Sequence, residues 1–364
     1  MNLKSAPTYP INVADFRFGS LVARFRRLIA QTGPITIQHY MGEANAHYYA
    51  TRDPLGTAGD FITAPEVSQM FGEMIGACLA DWVTRSGAPG PVHYVELGPG
   101  RGTLAADALR VLRKFGVAAQ VHLVEGSPAL RTVQGRLLGE VTWHDDLSTV
   151  PEHGPLLIVA NEFFDALPVR QMVRTETGWR ERMVAVDGDR FIAIAGDRPM
   201  DAAVPEARRD APPGAIIETC PAAAAIAGEL ARRLAGQGGV ALLIDYGYAK
   251  PGSGSSLQAV RGHEKVDPLA EPGTADLTAL VDFSALAEAS TGVAVLGPVG
   301  QGQFLQALGI EARAGALTRA APERGEELAA ALARLTGPRA MGELFKVMAL
   351  VGAGWPRPAG FSSP

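Results

Sequence analysis

Tyr94-Val95-Glu96-Leu97-Gly98-Pro99-Gly100-Arg101-Gly102-Thr103-Leu104 joins an apolar run to a three-glycine turn and then to a helix-forming stretch. Residues 92–97 have the composition of a strand buried on both faces, and 103–113 repeat apolar residues at helical spacing. Glycines at 98, 100 and 102 remove the side chains that would hold a ligand off the backbone, and the following helix turns its free N–H groups to the same place. The stretch reads as a nucleotide cradle; the plainer reading is a tight turn in a core. A dinucleotide-binding turn would need a small third glycine at position 103, where Thr103 stands.

Outward from the turn, strand and helix alternate, with strands expected near 92–97, 120–124, 141–143, 156–160 and 240–246. The fold class is therefore α/β, a doubly wound Rossmann-like sheet with an N-terminal helical segment and antiparallel and loop insertions. Helices are expected at 20–31, with Leu21, Phe25, Leu28 and Ile29 on one side, and at 67–86. The turn pairs Thr177-Gly178 and Asp187-Gly188 punctuate an antiparallel run over 170–194. A loop-rich stretch at 251–272 carries Arg261, His263, Glu264, Lys265 and Asp267, and 344–351 forms an apolar strand. Three parts follow: a helical segment 1–90 closing over the ligand site, a core 91–352 with insertions at about 170–218 and 251–330, and a tail 353–364 expected to fray.

Glu96 with Gly98, Gly100 and Gly102 resembles the first motif of the S-adenosylmethionine-dependent methyltransferases. That resemblance places Gly98 and Gly100 against the methionine part of the cofactor and Glu96 near its ammonium group. Glu125, at the end of the next strand, is the right distance on for one carboxylate to accept from both ribose hydroxyls. Asp145 and Asp146 follow Trp143 and His144 at the third strand end, where either acid can accept from an adenine amino group or simply cap a turn. After the fourth strand, Asn161-Glu162-Phe163-Phe164-Asp165 sets acids beside apolar rings. A protonated guanidinium suits bidentate carboxylates, so Glu162, with Asp165 helping, is the candidate catalytic clamp, and Asn161 joins the cofactor-binding set. The plainer reading has Asn161 capping a helix and Glu162 answering its dipole.

The net charge of -5 argues against broad binding to nucleic acid or to anionic membrane. Only Cys78 and Cys220 occur, which suits a reducing cytoplasm, and the seven histidines lack ligand spacing, so no metal is expected. No transmembrane span is apparent, and Asp15 and Arg17 disfavour a secretory signal.

Residues 59–73 (Gly-Asp-Phe-Ile-Thr-Ala-Pro-Glu-Val-Ser-Gln-Met-Phe-Gly-Glu), the glycine turn, Glu125-Gly126-Ser127-Pro128, Asn161 through Pro168, and Ile244-Asp245-Tyr246-Gly247-Tyr248 together resemble the MidA-like family over about 34–351. Its mitochondrial member is a complex I assembly factor that symmetrically dimethylates an arginine of the 49-kDa subunit of NADH:ubiquinone oxidoreductase. The resemblance implies S-adenosyl-L-methionine as cofactor and a protein substrate of that kind, in the cytoplasm or, in a eukaryote, the mitochondrial matrix. Other protein arginine methyltransferases carry a second acid where Gln171, Met172 and Val173 stand here, which leaves Asp165, Glu66 or Asp60 to complete the clamp, with Asp245 and Tyr246 as further pocket candidates. A non-catalytic assembly chaperone and a methyltransferase acting on a small molecule are the alternatives. The oligomeric state is left open.

Overall fold

The structure, a computed structural model, describes residues 18–51, 63–87, 91–250 and 252–361. Its centre is a sheet whose path strands we number β1 (Val92–Leu97), β2 (Ala119–Val124), β3 (Thr142–His144), β4 (Leu156–Asn161), β5 (Gly239–Tyr248), β6 (Ala294–Gly300) and β7 (Phe345–Val351), with Val281–Asp282 added beside β5. The spatial order is β6-β7-β5-β4-β1-β2-β3. β3, β2, β1, β4 and β5 are mutually parallel, and β7 runs against both of its neighbours.

Strand periodicity explains why the core strands read as unbroken apolar runs. Val92 and Tyr94, Leu157 and Val159, and Val240 and Leu242 face one layer, filled by the Gln69–Ser86, Thr103–Lys114 and Gly325–Thr336 helices. Val95 and Leu97, Leu156 and Ile158, and Ala241 and Leu243 face the other, filled by Pro221–Gln237 and Phe283–Ala289. The chain runs outward from β1 through β2 to β3 and then returns to place β4 on the other side of β1. The carboxyl ends of β1 and β4 therefore flank the crevice at which a doubly wound sheet binds its ligand.

On the β1–β3 flank three buried histidines form a ladder. His93 Nδ1 lies 3.0 Å from His122 Nε2, His122 Nδ1 lies 3.0 Å from His144 Nε2, and His144 Nδ1 lies 2.8 Å from Thr149 Oγ1.

Arg170–Thr175, Gly178–Asp187, Arg190–Pro199 and Ile216–Thr219 form an antiparallel sheet that Ile35–Thr36 joins at its edge. On it docks the Phe18–Thr32 helix, with Leu21, Phe25 and Ile29 buried and Phe25 stacked on Tyr40 at 5.0 Å. A three-stranded sheet of Glu264–Val266, Gln258–Arg261 and Asp276–Thr278 follows β5.

Two expectations need correction. The stretch 251–330 is not insertion throughout, because β6 inside it pairs with β7 in the core; Gly297-Pro298 interrupts the alternation that would have marked it, and the pairing shifts register between Leu296 and Val299. The tail is docked through residue 361 rather than frayed. Trp355 stacks on Trp82 at 5.0 Å, Trp82 Nε1 donates to the Pro356 carbonyl at 2.7 Å, and Phe361 lies 5.3 Å from Phe304, so aromatic burial outweighs the tail's Pro and Gly content.

Candidate active site

The glycine turn leaves β1 with Gly98, Gly100 and Gly102 at φ 60, 54 and 84, a left-handed region that side chains rarely adopt. A Cβ on Gly98 would sit 2.9 Å from the Phe163 ring, so the turn also packs directly on the segment after β4. Glu96 is buried inside the sheet, accepts from the Tyr94 hydroxyl at 2.6 Å, and is pushed up to about 8 by burial.

Glu125 directly follows β2, with Oε1 accepting from the Ser127 amide at 2.8 Å, and burial raises its pKa. Gln134 completes this region: its Nε2 donates to the Gly100 carbonyl at 2.6 Å and to Glu125 Oε2 at 3.3 Å, while its Oε1 accepts from Trp143 Nε1 at 2.8 Å. One amide thus ties the turn, the ribose-binding candidate and the adenine-side tryptophan together. Asp145 lies exposed against Arg131, and Asp146 accepts from the Ser148 amide at 2.7 Å, capping the turn at Leu147–Thr149. Both acids stand at the β3 end, with those contacts as their present roles.

Past β4 the chain turns sharply at Glu162, whose φ of 51 is strained for a residue with a side chain. Its Oε1 accepts from the Ala64 amide at 3.0 Å and from Asn161 Nδ2 at 3.3 Å. Burial lifts its pKa to about 8, with the nearby Asp165 and Glu66 charges adding to the effect. Asp165 is pushed by burial to about 6 while the Tyr246 hydroxyl hydrogen-bonds its carboxylate. Asp165 Oδ1 and Asn161 Oδ1 are buried without a hydrogen-bond partner among the described residues. Asp245, within β5, accepts through Oδ2 from the Phe163, Phe164 and Asp165 amides at 3.2, 2.9 and 3.2 Å and through Oδ1 from Tyr246 N at 2.9 Å. Asp245 therefore fixes the loop that presents Glu162 and Asp165.

Glu66 lies over the site in the short Ala64–Val67 helix, 3.7 Å from Arg101 of the glycine turn. Asp60 lies outside the described residues. Gln171 is fully buried on the antiparallel sheet, where it accepts from Arg182 and donates to Glu218. Asp276 and Tyr49, which no motif marks, lie near this loop: the Tyr49 hydroxyl donates to Asp276 Oδ1 at 2.7 Å and feels the Asp165 charge. The sequence signal for Asp276 is a lone acid in Ala275-Asp276-Leu277-Thr278-Ala279.

A family model described as an S-adenosyl-L-methionine-dependent methyltransferase matches residues 74–299. The chain belongs to this methyltransferase family. The methyltransferase is 40% identical over 366 residues to the mouse (Mus musculus) mitochondrial protein arginine methyltransferase NDUFAF7, covering 89% of this chain and 82% of that one. It is 38% identical to the human (Homo sapiens) protein of the same name over 369 residues, covering 89% and 81%. A solved structure from Burkholderia thailandensis bound to S-adenosyl-homocysteine superimposes with a TM-score of 0.81 at 30% identity, covering 98% of the methyltransferase and 97% of that chain. The MidA-like resemblance and the α/β architecture expected from sequence hold, and the cofactor is S-adenosyl-L-methionine. The methyltransferase's residues fit that group, with glycines where a side chain would intrude and a buried acceptor, Asn161 Oδ1, left for a donor. Among the described residues no helix is long and apolar enough to cross a membrane. The relatives are named as mitochondrial, so the cytoplasmic expectation gains no support from them.

Proposed function

We propose that this methyltransferase acts on a protein arginine, the acceptor being the 49-kDa-type subunit of NADH:quinone oxidoreductase during assembly, with symmetric dimethylation as the product. The compartment is then the one in which that complex is assembled, the matrix in a mitochondrial setting. Gly98, Gly100, Gly102, Glu96, Glu125 and Asn161 hold the cofactor, with the β3-end acids Asp145 and Asp146 on its adenine side. The helical segment before residue 91 covers the site, since Ala64 reaches Glu162 and Glu66 reaches Arg101.

One observation carries the reading. Asp165 and Asp245 are buried and Glu162 is half-buried beside them, all three have raised pKa values, and none of them makes an ion pair among the described residues. Burying like charges is costly unless a cation arrives to neutralise them. A guanidinium is the cation whose planar N–H pairs match a carboxylate, and it stays protonated where a lysine would not need to.

S-adenosylmethionine supplies an electrophilic methyl on a sulfonium. Glu162 binds the guanidinium so that its charge is held on one side and the opposite nitrogen is aimed at that methyl. As the N–C bond forms and the C–S bond breaks, the nitrogen loses a proton, which Asp165, poised near 6, accepts. Phe163 and Phe164 keep water from the transfer. A groove of about 460 Å³ beside the site, bordered by Glu66, Arg101, Leu317 and Arg324, leaves room for a polypeptide to approach.

The test follows labelled methyl from S-adenosylmethionine into the co-expressed 49-kDa-type subunit, with an Arg→Lys series in that subunit to find the acceptor. Label on arginine supports the reading. Label on lysine or on a small molecule contradicts it, and a tight complex without label leaves the non-catalytic assembly role.

A further inference from the structure

The Pro128–Leu138 helix buries Leu130 and Gln134, one helical turn apart on the same face. A leucine at 134 would continue that apolar face, yet the chain buries an amide there completely. A buried amide is costly unless its donors and its acceptor are met. All three partners of Gln134 have fixed polarity. Trp143 Nε1 can only donate, so Gln134 Oε1 takes it at 2.8 Å, which turns Nε2 toward two groups that only accept: the Gly100 carbonyl at 2.6 Å and the ionised Glu125 Oε2 at 3.3 Å. Among long side chains glutamine alone carries one acceptor beside two donors. Glutamate lacks the donors, lysine and arginine lack the acceptor, and leucine lacks both.

The same helix holds Glu125 by its backbone and by its side chain. Arg131 Nε donates to the Glu125 carbonyl at 2.7 Å, and the Glu125 amide donates to the His144 carbonyl at 3.0 Å, so the main chain is fixed between the helix and the β3 end. The carboxylate is held at both oxygens, Oε1 by the Ser127 amide at 2.8 Å and Oε2 by Gln134. One anchor would leave a carboxylate free to rotate about its terminal bond; two, on different oxygens, fix its plane. Burial raises the Glu125 pKa, and the Ser127 amide and Gln134 oppose that rise, favouring the ionised form that only accepts. The stem of Gln134 lies against the glycine turn, where a Cβ on Gly102 would stand 3.5 Å from Gln134 Cγ.

We propose that Gln134 is a positioning residue that sets the plane of the Glu125 carboxylate for the ribose hydroxyls of the cofactor, and so gives the site its preference for an intact ribose. This inference rests on the reading of Glu125 as the ribose acceptor. Trp143 acts through Gln134 by fixing which end of the amide donates. The bond to Gly100 adds a second consequence: one side chain sets the glycine turn and the ribose acceptor relative to each other, so the two halves of the cradle cannot shift independently.

Calorimetric titration of the full chain with S-adenosylhomocysteine and with its 2′-deoxyribose counterpart tests it, in wild type, Gln134→Leu, Gln134→Glu and Glu125→Ala. Wild type is expected to prefer the intact ribose by about tenfold or more, the scale of one hydrogen bond to a charged group. Gln134→Leu should weaken S-adenosylhomocysteine by about tenfold and cut that preference to about threefold or less. Gln134→Glu keeps the volume and the acceptor for Trp143 but removes both donated bonds, and should lose the preference at least as fully. A merely structural role would weaken both ligands alike, lower the melting midpoint and leave the preference intact. That result, or unchanged affinity in a folded Gln134→Leu protein, overturns the proposal. If Gln134→Leu does not fold, an intact preference in Gln134→Glu overturns it. A preference lost in Glu125→Ala but kept in the Gln134 variants rejects the role of Gln134 alone, whereas a preference absent from wild type, or kept in Glu125→Ala, removes the ribose reading beneath it as well.

Discussion

Around the glycine turn polar atoms answer one another: Gln134 joins Gly100, Glu125 and Trp143, and Glu125 is met by the Ser127 amide. Around Glu162 they do not, since Asp165 Oδ1 is buried and unanswered and three acids crowd together. The first region is finished by its own chain and selects its ligand by shape. The second is incomplete until a cation brings the missing donors, as expected of a site that binds its substrate more tightly than its empty state tolerates. The contrast makes each region answerable to a different set of substitutions.

The largest effect is expected at the turn. Gly98→Val places a branched side chain at φ 60 and against the Phe163 ring, so S-adenosylhomocysteine binding should disappear in calorimetry while the fold persists. Near-normal affinity would remove the cradle from the account. Glu162→Gln comes next, with turnover falling about 10²-fold, equivalent to about 2.7 kcal/mol, while cofactor affinity stays within about threefold. Glu125→Ala should weaken cofactor binding by about 1.5 to 3 kcal/mol, the scale of hydrogen bonds to a charged group. Comparable or better affinity for NAD than for the methyl donor would contradict that assignment.

Titration gives the smallest effect and the sharpest contrast. Burial raises Glu162 from 4.5 to about 8 and Asp165 from 3.8 to about 6, so the folded chain holds protons that the unfolded chain has released. Their contribution to stability is fully present below the unfolded values of 3.8 and 4.5 and is lost as pH rises, completely by about 6 for Asp165 and by about 8 for Glu162. The histidine ladder behaves in the opposite sense. Burial lowers His93, His122 and His144, His122 to about 4 from 6.5, so stability present above 6.5 is lost as pH falls toward 4. Melting midpoints recorded against pH should show Glu162→Gln removing a decline that runs from about 4.5 up to about 8, and His122→Gln removing a decline that runs from 6.5 down to about 4. Parallel profiles for Glu162→Gln and wild type would mean that the Glu162 carboxyl is solvated.

The cradle was legible because its parts are contiguous: strand, three glycines and helix lie within 92–114, and Glu125 directly follows the next strand. The alternation of β1, β2, β4 and β5 was equally plain, since a sheet covered on both faces leaves long apolar runs. β6 was not, because Gly297-Pro298 breaks its pattern, and the tail was not, because nothing local says that Trp355 will find Trp82. Glu162 and Asp165 stood out beside their phenylalanines. Asp276 and Tyr49 did not, because a side chain's burial beside residues more than a hundred positions away is decided by tertiary packing, which local pattern does not encode.

The most direct test is mass spectrometry of the NADH:quinone oxidoreductase subunits from cells lacking this protein and from the same cells given back wild type or Glu162→Gln. The account predicts that a methylated arginine on the 49-kDa-type subunit disappears in its absence, returns with wild type and stays missing with Glu162→Gln. The same modification found without the protein, or restored in full by Glu162→Gln, would contradict it.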